Sequence, residues 1–146
     1  MFKIIPFQQE YRDDTIFCLL LAKDAVGRLP EITEDFLDIQ GRYFDKGDMF
    51  WIALDNDNRV IGMIGTDTTS ESDMWLRRLF IKPSLKRKGL GSALLSLAEN
   101  YAQSKGITTI HTRFYDDFTE AARFYPSKGF IEDGKSDGLR HFIKNT

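Results

Sequence analysis

The sequence predicts a mixed α/β fold, with a central sheet of about seven strands and helices on both faces. Three observations predict it: the chain has the 146 residues of one ordinary domain, a β-rich hairpin lies in its first half, and strand and helix patterns alternate in its second half. A hairpin followed by a strand–helix–strand crossover gives a sheet with antiparallel and parallel neighbours. We therefore expect a single domain over residues 1–146.

The first half of the chain is predicted to hold a strand, two helices and a hairpin. The first strand stops at Pro6, the first helix ends before Gly27, and the hairpin turn is the tetrad at residues 55–58, Asp-Asn-Asp-Asn. The predicted elements are a strand Met1–Ile5, helices Tyr11–Ala25 and Glu31–Tyr43, and strands Met49–Leu54 and Arg59–Thr66.

The second half alternates between strand and helix before it closes on a strand pair. Gly106 suits the end of one helix, and Asp117 with Glu120 three residues on suits the start of the next. A loop over Gly134–Gly138 is expected between the last two strands. The predicted elements are strand Met74–Ile81, helix Ser92–Lys105, strand Ile107–Tyr115, helix Asp117–Lys128, and strands Phe130–Asp133 and Leu139–Lys144.

Charge is distributed unevenly along the chain. The total of 20 Lys and Arg against 22 Asp and Glu gives −2, which argues against a generally basic nucleic-acid-binding protein. Between Arg77 and Lys88, however, there are six cations and no acid, so the remainder of the chain carries −8. A short basic segment on an acidic body indicates a small anionic ligand.

Neither a membrane segment nor a metal site is expected. The longest apolar run, Ile16–Ala22, has seven residues, against the roughly 20 that a membrane span needs. Cys18 lies in that run and has no second cysteine to pair with, which fits a buried thiol in the cytoplasm. Cys18, His111 and His141 do not have the spacing of a structural zinc site.

A glycine loop lies between a predicted strand and a predicted helix. It reads Lys-Arg-Lys-Gly-Leu-Gly-Ser over residues 86–92. Unpaired N–H groups at a helix start bind phosphate, and glycines let the backbone approach it closely. The loop matches neither the Walker pattern nor the dinucleotide fingerprint, which needs a glycine where Leu94 stands. Taken alone, it could equally be an ordinary strand–helix turn with solvated lysines.

The flanks of the loop carry a family resemblance. The stretch Leu76–Pro83, the Gly89-Leu90-Gly91 loop and Leu94-Leu95 resemble motif A of the GCN5-related N-acetyltransferase (GNAT) family, with Lys86 at its Gln/Arg position. Downstream, Ala121-x-x-Phe-Tyr-x-x-x-Gly-Phe130 resembles motif B. The resemblance covers about residues 50–133.

The resemblance implies where acetyl-CoA would bind. In that family it lies in a V-shaped gap where two parallel strands splay apart, here Met74–Ile81 and Ile107–Tyr115. Strand backbone would pair with the pantetheine arm, an N–H group near Leu79 and Phe80 would polarise the thioester carbonyl, and loop amides would cradle the pyrophosphate. The residues expected to bind the cosubstrate are Leu79, Phe80, Ile81, Lys86, Arg87, Lys88, Gly89, Leu90, Gly91 and Ser92.

The resemblance also implies a proton donor for the departing thiolate. Tyr125 matches the family's usual general acid. Two departures affect this assignment. Pro126 disfavours helical geometry at Tyr125 and could displace its phenol, and Phe118 stands where many members carry an Asn.

No family base can be transferred to this chain. Arg113 and Trp75 stand where other members carry Glu. His111 is the residue that we select as the candidate base. Asp73, Glu71, Glu31 and a water chain to bulk solvent stay open as alternatives.

The expected function is acetyl transfer from acetyl-CoA to the primary amine of a small molecule. Six acids in the Gly27–Phe50 region would suit a cationic amine. Two alternatives stay open: a protein or peptide acetyltransferase, and a degenerate member that binds CoA as a sensor or partner-binding module. A homodimer is possible; no nucleic acid, membrane or metal is expected.

Overall fold

The predicted mixed sheet of seven strands is confirmed. In the computed structural model, residues 1–85 and 89–146 are described; these form seven strands and four α-helices, with sheet order β1-β2-β3-β4-β5-β7-β6. The β4–β5 pair is parallel, whereas β1–β2, β2–β3, β5–β7 and β6–β7 are antiparallel. The elements are β1 Lys3–Pro6, α1 Arg12–Ala25, α2 Ile39–Arg42, β2 Phe50–Leu54, β3 Val60–Thr68, β4 Asp73–Ile81, α3 Leu90–Ser104, β5 Thr109–Tyr115, α4 Thr119–Ser127, β6 Ile131–Ser136 and β7 Leu139–Asn145.

Contacts between Cα atoms divide the chain into two compact units. Unit 1 comprises Met1–Asp67 and Arg77–Ala98, and unit 2 comprises Thr68–Leu76 and Glu99–Thr146. Strand β4 contributes its first residues to unit 2 and its last residues to unit 1.

The core of unit 1 is centred on an aromatic cluster at the start of β2. The Phe50 ring is fully buried, and its edge-to-face partners are Phe7, Phe36 and Tyr43, with ring centroids 6.0, 5.9 and 4.9 Å away. Aromatic pairs favour this T-shaped geometry, and such rings bury large apolar areas. Every residue of β2 is buried, which makes this strand the centre of the unit.

The predicted hairpin of unit 1 is confirmed. Its turn is stabilised by Asp55, whose Oδ1 accepts hydrogen bonds from the backbone N–H groups of Asp57 and Arg59. Asp14 on α1 then accepts from the Arg59 guanidinium and, at 2.7 Å, from the backbone N–H of Val60. The Asp14 carboxylate thereby links α1 to the beginning of β3 by hydrogen bonds.

The predicted helix Glu31–Tyr43 is wrong. The segment forms a single 3₁₀ turn, Glu34–Leu37, followed by the short helix α2. Asp38 separates them because its backbone is not helical (φ −149°, ψ 67°), and its side chain accepts from Gly41 N–H at 3.0 Å. Aspartate favours this capping position over a helix interior, so the apolar periodicity alone overstated the helix.

Unit 2 is built on β5 and the β6–β7 hairpin. Along β5, Ile110, Thr112 and Phe114 are buried, whereas His111 and Arg113 point to the opposite face. Helix α4 packs on the buried face, since its Tyr125 ring lies 5.7 Å from the Phe114 ring. One face of β5 therefore packs against α4, whereas the opposite face carries the side chains of His111 and Arg113.

Three local expectations in the second half need correction. Helix α4 begins at Thr119, so its N-cap is Phe118 rather than the predicted Asp117. Pro126 lies inside α4, near its end, and leaves Tyr125 helical. Strand β6 extends to Ser136, and the loop shrinks to Asp137-Gly138, both with positive φ (54° and 77°), as in a two-residue hairpin turn.

Among the residues that the structure describes, no helix has both the length and the apolar character needed to cross a membrane.

Candidate functional site

The start of α3 has the geometry of an anion-binding helix terminus. Gly89 adopts a left-handed backbone (φ 82°) and is exposed, and no atom of the described residues lies within 4 Å of where its Cβ would stand. Its carbonyl accepts from Ala93 N–H, so it caps the 15-residue helix. Leu90 is only 2% exposed and anchors this end, while Gly91 and Ser92 are half-buried. The predicted cations Lys86, Arg87 and Lys88 lie outside the described residues.

The last part of β4 holds the other residues predicted to bind the cosubstrate. Leu79, Phe80 and Ile81 are each half-buried, and the Phe80 side chain packs against the aromatic core cluster. Arg78, directly before them, has a positive φ of 59°, a conformation that non-glycine residues rarely adopt. Burial alternates regularly over Asp73–Leu76 and no longer alternates from Arg77 onward.

An ion pair holds Arg78 in this conformation. Its guanidinium donates to both carboxylate oxygens of Asp35, at 3.0 and 3.3 Å, and Tyr43 Oη donates to Asp35 at 2.6 Å. Burial alone would raise the pKa of Asp35, but the hydrogen bonds from Arg78 and Tyr43 outweigh it and lower that pKa. The same burial, with the carboxylate beside it, raises the pKa of Tyr43.

This ion pair lies in the wall of a cavity of about 260 Å³ in unit 1. Its lining carries four cations and three acids, the acids being paired: Asp35 with Arg78, and Asp67 with Arg77 at 3.1 Å. The lining residues are Thr33, Glu34, Asp35, Arg42, Tyr43, Lys46, Asp67, Arg77 and Arg78.

Five of the six acids of the Gly27–Phe50 region have side-chain partners within unit 1, Asp35 being the one paired with Arg78. Asp38 caps α2, Asp45 accepts from Gln40, and the buried Asp48 accepts from Thr66. Glu34 lies 3.5 Å from Arg42. This arrangement does not favour the expectation of an acidic surface for a cationic amine.

Tyr125, the predicted acid, lies in an apolar environment in unit 2. It is 6% exposed, and its ring contacts Phe114 and Phe130. Burial raises the pKa of Tyr125 to about 12, while a hydrogen bond with the Thr112 side chain acts in the opposite direction. The phenol is therefore protonated at neutral pH.

His111, the predicted base, lies on the other face of β5 from Tyr125. Its Nε2 is 2.7 Å from Asp73 Oδ1, its Nδ1 is 2.9 Å from His141 Nε2, and Trp75 stacks on its ring. The hydrogen bond from His111, followed by those from Ser70 and Ser72, lowers the pKa of Asp73 to about 2. The structure thus groups His111 with Asp73, Trp75 and His141 and does not bring it together with Tyr125.

Two members of this group, His141 and Trp75, were not predicted to be site residues. His141 lies opposite Arg113 in the β5–β7 ladder, one diagonal step from His111, and Trp75 lies opposite His111 in the parallel β4–β5 ladder. The sequence signals were that His141 is one of only two histidines and that Trp75 stands where other family members carry Glu. Within the described part of the chain, no three His, Cys, Asp or Glu side chains are placed to hold a metal ion.

Comparison with known proteins decides the family. The sequence model of the acetyltransferase (GNAT) family matches residues 8–130. The chain belongs to the GNAT family. A probable N-acetyltransferase camello from Xenopus laevis is 25% identical over 100 residues, which is 66% of this chain and 45% of that protein. The matched stretch thus spans less than half of that relative's length.

Solved GNAT structures share the fold over nearly the whole chain. A GNAT acetyltransferase from Staphylococcus aureus Mu50 superposes with a TM-score of 0.89 at 23% identity, covering 99% of both chains. PaiA N-acetyltransferase from Thermoplasma acidophilum, solved in complex with coenzyme A, gives a TM-score of 0.84 at 20% identity and covers 100% of this chain and 99% of that chain. Acetyl-CoA as the cosubstrate is consistent with this membership and with the bound coenzyme A.

The Asp35–Arg78 pair gives a stability prediction for this GNAT chain. Asp35→Asn should lower the free energy of unfolding by about 2–4 kcal/mol at pH 7, because it leaves a partly buried guanidinium without its carboxylate. Since the folded pKa of Asp35 lies below its unfolded value, this difference should be complete above about pH 5 and shrink as the pH falls below about 4. Urea unfolding across that pH range measures it.

Asp13→Asn is the matched control, because Asp13 also neighbours an arginine, Arg12, but its side chain is 89% exposed. That substitution should change stability by less than about 0.5 kcal/mol. Equal effects of the two substitutions would contradict a structural role for the Asp35 pair.

Proposed function

We propose that this chain is an acetyl-CoA-dependent N-acetyltransferase that acetylates the primary amine of a small molecule by direct attack on the thioester. The observation that carries the proposal is the start of α3, where an exposed glycine with φ 82° caps a 15-residue helix directly after the basic segment. Such a terminus offers unpaired N–H groups and a partial positive charge to a pyrophosphate.

Residues of unit 1 would bind the cosubstrate. The amides of Gly89 to Ser92 would take the pyrophosphate, and Lys86, Arg87 and Lys88 would add positive charge around it. The backbone of Leu79–Ile81 would pair with the pantetheine arm, and an N–H group near Phe80 would polarise the thioester carbonyl. Burial stops alternating at Arg78, which supports this role. In a regular strand, the backbone N–H and C=O groups of Leu79–Ile81 would bond to neighbouring strands instead of to the pantetheine arm.

Tyr125 would supply the proton that the departing thiolate needs. Its burial keeps the phenol protonated throughout the neutral range, and its hydrogen bond with Thr112 fixes the orientation of the hydroxyl. A phenol with a pKa of about 12 is a weaker acid than a thiol, whose ordinary pKa is about 8.5. Transfer is therefore expected as the C–S bond breaks, when negative charge accumulates on sulfur, rather than before it.

His111 is the proposed base for the attacking amine. Asp73 is a poor alternative, since a carboxylate with a pKa of about 2 has little affinity for a proton. Both ring nitrogens of His111 already lie within hydrogen-bond distance of a neighbour, Asp73 on one side and His141 on the other. A proton can therefore reach His111 only through one of these neighbours.

The cavity of unit 1 supports a small acceptor. Its volume of about 260 Å³ suits a compact molecule, and Arg77 and Arg78 in its lining directly precede Leu79. With four cations and three acids around it, an amine that also carries a carboxylate fits this lining better than a polyamine.

Thiol release from acetyl-CoA tests the proposed activity. The protein is offered amino acids, polyamines, aminoglycosides and a short peptide, and free thiol is measured. We expect turnover with at least one small amine, amino acids being favoured over polyamines. CoA binding without turnover of any amine would instead support the sensor interpretation, and turnover with the peptide alone would contradict a small acceptor.

Gly89→Asp tests the phosphate cradle. Aspartate at φ 82° is strained and places a negative charge at the helix start, so affinity for CoA should fall at least about tenfold in calorimetric titration. Gly106→Asp is the matched control, because Gly106 also has a positive φ (76°) and open space, but lies just after the end of α3. It should bind CoA as wild type does. Unchanged CoA affinity in Gly89→Asp would rule out the cradle.

Tyr125→Phe tests the acid. Removal of the hydroxyl should lower kcat about 100-fold and leave the affinity for acetyl-CoA within about threefold, because the proton is needed only as the thiolate leaves. Tyr101→Phe on α3 controls for loss of a phenol elsewhere and should keep full activity. A wild-type kcat in Tyr125→Phe would remove Tyr125 from the mechanism.

A further inference from the structure

We infer that the cavity of unit 1 is a carboxylate-binding site, and that Arg42 and Lys46 hold the carboxylate. The inference rests on the proposed acetyl transfer and deepens it: the acceptor is an amine that also carries one carboxylate, and these two cations select it by that group. Both side chains line the cavity, and the whole lining belongs to unit 1. Arg42 and Lys46 are specificity-determining residues and take no part in the chemical step.

Two of the four cations in the lining are fixed within the cavity wall. Arg78 donates to both carboxylate oxygens of Asp35, and Arg77 donates twice to Asp67 Oδ2, at 3.3 and 3.1 Å. The Arg78 and Arg77 side chains are 34% and 32% exposed. Each of these arginines therefore has its charge neutralised where it stands, and the two ion pairs together form a rigid part of the wall.

The other two cations, Arg42 and Lys46, are held loosely. The Arg42 guanidinium lies 3.5 Å from Glu34 Oε2, and Lys46 Nζ lies 4.0 Å from Asp67 Oδ1. Both separations exceed the roughly 2.7–3.2 Å of an N–H···O hydrogen bond. The two side chains are also more exposed, at 53% and 57%. An exposed pair of this kind is weak, so an incoming anion can take the place of the present partner.

The backbone that carries these two cations is fixed, although their side chains are exposed. The carbonyl of Tyr43 accepts from the N–H groups of Lys46 and Asp48, at 3.2 and 2.9 Å, and Gly47 closes this turn with a φ of 84°. The Tyr43 side chain is buried in the aromatic core cluster. Arg42 directly precedes this anchored residue. A pre-organised backbone lowers the entropy that is lost when the two side chains bind a ligand.

The charge balance of the lining favours a ligand with one negative charge. Among the described lining residues, four cations and three acids give a net charge of +1. The Asp35–Arg78 and Asp67–Arg77 pairs cancel, which leaves the excess on the side of Arg42. One carboxylate neutralises this excess, whereas a second ammonium group adds to it. A phosphate group carries about −1.5 to −2 and exceeds it.

Glu34 is the residue that competes with the proposed ligand. Its carboxylate is the partner of Arg42, and its side chain is 87% exposed. The planar guanidinium of Arg42 matches the two oxygens of a carboxylate, so the acceptor carboxylate binds in place of Glu34, whose side chain turns into solvent. An acceptor without a carboxylate leaves the Arg42–Glu34 pair intact and gains nothing from it. This competition gives the site selectivity as well as affinity.

The cavity adjoins the segment to which the thioester is assigned. Arg78, in the cavity wall, is bonded directly to Leu79, the first of the residues proposed to pair with the pantetheine arm. Cavity and segment both belong to unit 1. A carboxylate held by Arg42 and Lys46 therefore keeps the amine of the same molecule on the side of the cavity that ends at β4.

A series of amines with equal chain length tests the carboxylate preference. The series is 4-aminobutanoate, 1-aminobutane, 1,4-diaminobutane and 3-aminopropylphosphonate; leucine and leucinamide form a second pair for an amine next to the carboxylate. In at least one of the two sets, the carboxylate should raise kcat/KM at least about tenfold over the uncharged amine, measured by thiol release from acetyl-CoA. Equal kcat/KM with and without the carboxylate in both sets, or a preference for the diamine or the phosphonate, would overturn the inference.

Substitutions of the two cations test which residues carry the preference. The double variant Arg42→Met, Lys46→Met should raise KM for the preferred carboxylate amine about tenfold and leave kcat and KM for acetyl-CoA within about threefold. Glu34→Gln should lower KM for the same amine about threefold, because the competing carboxylate is lost. Lys3→Met, on the exposed edge of β1, is the matched control and should leave every constant unchanged. An unchanged KM in the double variant would contradict the assignment.

Binding of butanoate tests the site without any acetyl transfer. Butanoate has no amine, and its uncharged analogue butanamide is the control ligand. In NMR titrations of the backbone amides, butanoate should shift signals within Thr33–Asp35 and Arg42–Lys46 in a saturable manner. Its Kd should rise at least about fivefold in the double variant and fall in Glu34→Gln. Equal shifts with butanamide, or the same Kd in the double variant, would overturn the carboxylate site.

The binding and turnover experiments separate this inference from the proposed function. A wild-type protein that binds CoA and acetylates no amine would contradict the proposed function, and the butanoate titration would then decide the carboxylate site alone. Turnover of the uncharged amines with no gain from a carboxylate would keep the proposed function and overturn the role of Arg42 and Lys46.

Discussion

The ion pair between Arg78 and Asp35 is the interaction on which the end of β4 in unit 1 depends. A non-glycine residue in the left-handed region costs about 1–2 kcal/mol, and here it is held by two hydrogen bonds to a carboxylate that Tyr43 also orients. From this point onward β4 no longer alternates between buried and exposed residues, and its end, Leu79–Ile81, leaves the pattern of an ordinary strand. Local strain held by side-chain bonds is common at functional sites, which agrees with the role proposed for this segment.

Strand β5 organises unit 2 by a different principle, the alternation of its two faces. Thr112 and Phe114 face α4 and surround Tyr125, whereas His111 lies on the opposite face with Trp75. Burial raises the pKa of a phenol and lowers that of an imidazole, because in both cases it penalises the charged form. The same physical effect therefore favours the neutral form of both Tyr125 and His141.

The sequence predicted those features that depend on local patterns. Apolar, β-rich runs located the strands, the Asp55 turn located the hairpin, and the glycines located the start of α3. It failed where a side chain competed with the pattern, as at Asp38, which breaks the expected helix by capping a shorter one. The positive φ of Arg78 also had no local signal, since its partner Asp35 is 43 residues away.

The contact between His111 and His141 could not be predicted from the sequence, for a topological reason. His111 and His141 meet because β7, rather than β6, lies beside β5, and because the register places His141 opposite Arg113. A one-residue shift of that register would turn His141 to the other face. Sequence spacing contains neither the strand order nor the register, so the candidate base could be named while its partner could not.

Charge composition was the least reliable guide, because counting charges does not reveal which of them are paired. Arg77 and Arg78 belong to the basic segment, yet their charges are met by Asp67 and Asp35 within unit 1. Two of the six clustered cations are therefore already paired with acids of the same unit. The acids paired with these arginines are equally unavailable to a cationic amine. The charge of the acceptor must therefore be inferred from the individual residues of the cavity, and the acidic excess of the chain does not determine it.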